Sequence, residues 1–100
     1  MQMSIAVINQ QISKQKSKLR VNGIAHVAVF GSRARGDNDP QSDLDLLLDL
    51  REGASFSLLD LVRVEAILSE ATGLPANVFL RRSLDRKFFE SIKPDVRVVF

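Results

Sequence analysis

Two short stretches carry residue types suited to phosphoryl transfer: Gly31-Ser32-Arg33-Ala34-Arg35-Gly36-Asp37, and then Ser42-Asp43-Leu44-Asp45-Leu46. The first is a small-residue turn. Glycine lets an anion approach the backbone closely, and the Ser32 hydroxyl with the N–H groups opening a following helix can bind phosphate. Arg33 and Arg35 could add charge-assisted bonds to phosphate oxygens. The second stretch places two carboxylates at i, i+2. On an extended strand Asp43 and Asp45 project from one face, about 7 Å apart at Cα. Carboxylates this close repel each other unless a cation sits between them. Mg²⁺ favours a few carboxylate oxygens, waters and substrate phosphates. Phosphate plus metal is the minimum equipment for phosphoryl-transfer chemistry.

These side chains need rigid support, and the hydrophobic pattern provides it. Ile24 to Phe30 is an almost wholly apolar run, which suits a buried strand. Gly31-Ser32 then turns the chain, and Ser32 could cap a short helix to Arg35. Gly36 to Gln41 reads as an exposed loop. Ser42 to Leu50 alternates as a strand, with Leu44, Leu46, Leu48 and Leu50 on one face and Asp43, Asp45, Leu47 and Asp49 on the other.

Around this pair, Ser4 to Arg20 reads as one helix stopped by Asn22-Gly23. Ser57 to Thr72 reads as a second, with Ser57 and Asp60 resembling a capping box and Gly73 ending it. Its expected buried side follows Leu58, Leu61, Val62, Glu65 and Leu68, broadened by Leu59, Ala66 and Ile67. Ala76 to Leu80 is a third strand, Ser83 to Ile92 a short helix broken by Pro94, and Asp95 to Phe100 a closing strand. The order α-β-α-β-α-β-α-β predicts an α/β (α+β) fold: a small mixed β-sheet with helices packed on it. Residues 1–100 form one expected domain.

Composition narrows the function. Apolar residues are 45% and charged residues 26% of the chain, as in a globular protein. With six Phe and no Trp or Tyr, it offers few stacking platforms for single-stranded nucleic acid. A net charge of +2 is not the footprint of a dedicated DNA binder, so direct nucleic-acid binding is not expected. Cysteine is absent, which excludes thiolate metal sites and suits a reducing compartment. Met1 to Arg20 lacks the apolar block of a signal peptide, and no segment approaches membrane-spanning length. A cytoplasmic protein is the expectation.

Taken alone, Asp-x-Asp describes any strand with a polar outer face, and Gly-Ser any strand-to-helix turn with solvated arginines. The combination is far more specific. An apolar strand, Gly-Ser, ten residues, and then Asp-x-Asp in a second apolar strand resembles the DNA polymerase β-like nucleotidyltransferase superfamily. The fuller string from Phe30 to Leu48 resembles its smallest branch, the minimal nucleotidyltransferase (MNT) family.

The resemblance implies transfer of a nucleoside monophosphate, usually AMP from ATP, to an acceptor hydroxyl. Carried over, Gly31 and Ser32 would hold the β- and γ-phosphates, with Arg33, Arg35 and Ser42 as further nucleotide contacts. Asp43 and Asp45 would be catalytic and would bind two Mg²⁺. Many MNT proteins are antitoxins paired with a separate HEPN-domain RNase toxin, and some adenylylate a tyrosine on it, so the resemblance implies a HEPN partner and a hetero-oligomer. A third acid is usual on a neighbouring strand. Here the corresponding stretch, Gly73 to Ser83, puts Asn77 at that position, with Asp95 and Asp49 as weaker substitutes. An amide can offer one oxygen to Mg²⁺ but brings no negative charge. Two readings follow: an AMP-transferring antitoxin, or a weakened module that neutralises its toxin by binding alone. His26, without a second histidine, reads as a sheet-face residue.

Overall fold

The computed structural model describes residues 3–100; Met1 and Gln2, part of the expected domain, lie outside them. The helices are α1 (Ile5–Ser13), α2 (Lys16–Val21), α3 (Ser32–Arg35), α4 (Leu58–Thr72) and α5 (Arg86–Ile92). The strands are β1 (Ile24–Phe30), β2 (Leu44–Leu50), β3 (Ala76–Leu80) and β4 (Arg97–Val98). They form one four-stranded sheet in the order β3-β2-β1-β4. β1 runs antiparallel to β2 and β4, and β2 parallel to β3, so the sheet is mixed.

Period-two alternation sorts β2 onto two faces. Leu44, Leu46 and Leu48 are fully buried beneath α1, α2 and α4, together with Val27, Val29 and Leu68. On the opposite face Leu47 is also fully buried, under α5 with Ala28, Phe30 and Ile92. That second face is open at its two ends, and Asp45 stands at the N-terminal one, Asp49 at the other. Burying β2 on both sides makes it a stiff support for the carboxylates.

Four boundaries differ from the sequence reading. The expected Ser4–Arg20 helix is two helices. Gln15 leaves helical geometry (φ −96°, ψ 6°) and its N–H bonds the Ile12 carbonyl. The break re-aims α2 so that Leu19 is fully buried against β1. β2 starts at Leu44, because Ser42 and Asp43 belong to an approach segment anchored where the Leu44 N–H donates to the Pro75 carbonyl at 2.9 Å. The expected Ser83–Ile92 helix starts at Arg86, where the Asp85 side chain caps it, after a 3-10 turn at Arg81–Ser83. The closing strand shrinks to Arg97–Val98 because a 3-10 turn occupies Lys93–Asp95, although Phe100 still bonds Val27 through its backbone.

Helix α4 is capped as its sequence predicts, with reciprocal Ser57–Asp60 hydrogen bonds and a left-handed Gly73. Its inward side agrees with the sequence reading only at Ile67 and Leu68. Val64, Ile67, Leu68 and Thr72 are buried, whereas Leu58, Leu59 and Val62 are exposed. The helix carries two apolar stripes on opposite sides, and periodicity alone does not say which one meets the sheet. Among the described residues, no helix is long and apolar enough to cross a membrane.

Candidate functional site

The site forms where β1, β2 and β3 end side by side. Asp45 pairs with Phe30 across the antiparallel ladder and with Asn77 across the parallel one. These neighbours put the Asp45 carboxylate beside both the Gly31 turn and the β3 edge. Gly31 leaves β1 at φ 76°, ψ −156°, a conformation essentially confined to glycine. A Cβ there would lie 2.5 Å from Asp45 Oδ2. The missing side chain of Gly31 is the space that the carboxylate occupies, so the Gly-Ser and Asp-x-Asp elements are one steric unit.

Asn77 joins the carboxylates. Its Nδ2 donates to Asp43 Oδ2 and to Asp45 Oδ1, each at 3.2 Å. Asp43, outside the strand proper, is exposed, and Asp45 is half-buried. The donor set on offer is therefore two carboxylates and one amide facing solvent. That set fits Mg²⁺, which is bound by one or two carboxylates completed by substrate phosphates and water rather than by an all-protein cage. Among the described residues there is no group of three or more His, Cys, Asp or Glu side chains that could hold a metal by itself.

The other acids considered in the sequence are committed elsewhere. Asp95 accepts from Arg35 Nη1 at 2.9 Å, and Asp49 accepts from Arg81 Nε at 2.7 Å. The Arg81 guanidinium also lies over the Phe89 ring, 5.2 Å from its centre. Neither acid joins Asp43 and Asp45, so neither takes the place of a third carboxylate. His26 is exposed, opposite Asp49 in the ladder.

The remaining residues of the turn divide sharply. Gly31, not Ser32, is the N-cap of α3; Ser32 is its first residue, and its carbonyl accepts from the Gly36 and Asp37 N–H groups. Arg33 is only 3% exposed. Its Nε and Nη2 bond the Ser42 carbonyl at 3.0 and 2.8 Å, and Nη2 also reaches the Pro40 carbonyl at 3.4 Å. Its guanidinium is thus turned toward the loop that delivers Asp43, and Arg33 is a positioning residue. Ser42 belongs to the same loop: its hydroxyl accepts from the Asp39 N–H at 3.1 Å. Arg35 is exposed and bridges Asp37 and Asp95 at 2.9 Å each. Its hydrogen bond to Asp37, and then the one to Asp95, hold it more firmly in its charged form. Two arginines two residues apart look alike in sequence; burial alone separates the clamp from the surface bridge. A cavity of about 400 Å³ is lined by α3 and the Met3–Ile5 segment. We place the chemistry with the carboxylates because that cavity's lining includes neither aspartate.

Removing the clamp should loosen the site from behind. Arg33→Ala strips the Ser42 and Pro40 carbonyls of their charged donor and leaves a gap where the buried side chain stood, at an expected cost of about 2 kcal/mol. Thermal unfolding should register this as a fall of roughly 10 °C in Tm. Arg33→Lys should not rescue it, since one ammonium cannot reproduce the fork. An unchanged Tm in Arg33→Ala would show that the loop holds itself.

Comparison with known proteins agrees with this geometry. Residues 10–99 match the family model described as "Nucleotidyltransferase domain". MJ1217 of Methanocaldococcus jannaschii, a candidate protein adenylyltransferase, is 32% identical over 89 residues, covering 88% of this chain and 84% of the relative. The solved structure of a candidate minimal nucleotidyltransferase superposes with a TM-score of 0.79 at 29% identity, covering 95% of both chains. A chain from the complex of a tri-AMPylated Shewanella oneidensis HEPN toxin with an MNT antitoxin shares the fold. There the TM-score is 0.66 at 14% identity, over 93% of this chain and 71% of that one.

Proposed function

The chain belongs to the nucleotidyltransferase domain family, and from that premise we propose that it is an antitoxin that transfers AMP from ATP to a hydroxyl of a separate HEPN-domain toxin, with tyrosine as the acceptor. The observation that carries this reading is the seating of Asp45 against the side-chain-free face of Gly31, with Asp43 held beside it. That arrangement brings a phosphate-accepting turn and a metal-binding pair to one point. The M. jannaschii relative supports the reaction class by its description. The AMPylated toxin complex supports the kind of partner and the modification.

In this reading the Gly31-Ser32 turn would hold the β- and γ-phosphates, and the Asp43 and Asp45 carboxylates would hold Mg²⁺. When bound, Mg²⁺ would neutralise phosphate charge and lower the pKa of the acceptor hydroxyl. The acceptor oxygen bonds to the α-phosphorus as the bond to the leaving pyrophosphate breaks. Asn77 cannot take the hydroxyl proton, so among these three side chains only the carboxylates can. Arg33 and Ser42 act through the loop rather than on the nucleotide. Arg35 can reach phosphate only by exchanging Asp37 or Asp95 for it.

Incubation of the chain with its cognate toxin, Mg²⁺ and ATP labelled at the α-phosphate should transfer label to the toxin, on tyrosine by mass spectrometry. Asn77 favours one other reading, neutralisation by binding alone, because it leaves two carboxylates where three would bind metal more tightly. Toxin neutralised without acquiring label would establish that second reading in place of the first.

A further inference from the structure

We propose that Asn77 sets the ion load of this site: its amide stands in for a cation between Asp43 and Asp45, so the free protein needs no resident metal and takes one divalent ion, together with the nucleotide's phosphates. The single-ion part rests on the nucleotidyltransferase reading; the stand-in part does not.

The geometry is a symmetric bridge. Asn77 Nδ2 lies 3.2 Å from an oxygen of each carboxylate. An amide nitrogen has two hydrogens, so one can serve Asp43 and the other Asp45. Their mutual repulsion is relieved by dipoles instead of charge. Register makes this reproducible, because Asn77 is the parallel-ladder partner of Asp45.

Charge then limits the metal. Asp43 and Asp45 together carry two negative charges, which one divalent ion neutralises. A second ion would leave two uncompensated positive charges in the free site, and with a triphosphate bound it would still need a protein carboxylate beyond these two as a ligand. Neither Asp95 nor Asp49 can be recruited without breaking an existing pair, since Asp95 is held by Arg35 and Asp49 by Arg81. Entry of even the first ion requires the amide to turn over, presenting Oδ1 in place of Nδ2 and losing both hydrogen bonds. Phosphate oxygens on the Gly31-Ser32 side supply the ligands and charge that offset this loss. Metal and nucleotide therefore bind with positive coupling, each raising the affinity for the other by the same factor.

The test compares the native chain with Asn77→Asp, using Mn²⁺ as the probe and reading bound ion by electron paramagnetic resonance and stability by thermal unfolding. In chelator, Asn77→Asp should melt below the native chain, because a third carboxylate replaces the bridge. With Mn²⁺ alone it should melt above its own chelated value and bind the ion at least about tenfold more tightly than the native chain. The native chain should hold one Mn²⁺, and only when a non-hydrolysable ATP analogue is present. If Asn77→Asp does not fold, Asn77→Ala removes the bridge without adding charge. It should likewise melt lower in chelator and gain more from Mn²⁺ than the native chain does. Equal melting in chelator with unchanged Mn²⁺ affinity, or two ions in the native chain, would overturn the proposal. Failure of the native chain to bind the analogue would count against the nucleotidyltransferase reading and the single-ion part, while the chelator and Mn²⁺-alone measurements still decide the role of Asn77.

Discussion

Replacing Asp43 and Asp45 together by asparagine is expected to lower AMP transfer by on the order of 10³-fold, the scale seen when charge-stabilising groups leave an active site, without lowering Tm. The substitutions keep shape and remove charge. Both carboxylates face solvent or stand half-exposed, and among the described residues their side-chain hydrogen bonds come from the Asn77 amide and not from a cation. Relieving repulsion between them should leave the fold as stable as before, or more so. The pairing of outcomes carries the information. Transfer measured with α-labelled ATP should collapse while the thermal transition stays in place. If the double variant still labels the toxin at near-native rate, Asp43 and Asp45 are not the catalytic pair. If it neutralises toxin as well as the native chain does, binding alone accounts for the protein's effect.

Gly31→Ala should be nearly as damaging, for a different reason. The new methyl would stand 2.5 Å from Asp45 Oδ2, closer than real Cβ contacts come. The backbone at φ 76° and ψ −156° is also one that alanine resists, at a cost of about 1–3 kcal/mol. The strand beneath Asp45 is buried on both sides. Relief must therefore come from the carboxylate or the turn, and both are parts of the site. Misplacing reacting groups by about 1 Å costs on the order of 10²-fold in rate. Gly36→Ala is the internal control. Gly36 is also left-handed, at φ 82°, but nothing lies within 4 Å of its would-be Cβ. It should lose stability and retain transfer. Equal loss of transfer in both variants would mean that backbone strain, not contact with Asp45, explains the effect of Gly31→Ala.

Much of the architecture is legible in the chain because it depends on local pattern. The apolar run Ile24–Phe30 suited a buried strand, and Gly31-Ser32 with Asp43-x-Asp45 pointed to the family before any contact was known. The α4 cap was legible for the same reason, since Ser57 and Asp60 meet within one helical turn. Failures came where two local solutions were equivalent. The stripes of α4 are both apolar, and only contact with the sheet selects Val64 over Leu58 and Val62. The long N-terminal helix breaks at Gln15 because Leu19 must reach β1, a demand made by the sheet and not by the helix.

The sequence by itself determined the chemical types and their spacing: a small-residue turn, two carboxylates two residues apart, and an amide on the next strand. Periodicity and backbone sterics act over a few residues, so they can be read without coordinates. Tertiary structure decided which groups own one another. Arg33 is buried on its loop while Arg35 reaches Asp95, sixty residues along the chain. Asn77, read as the place of a missing acid, is the bridge between Asp43 and Asp45. Hydrogen bonds and ion pairs form between whatever groups the fold brings within about 3 Å, and that proximity is set by the packing of the whole sheet.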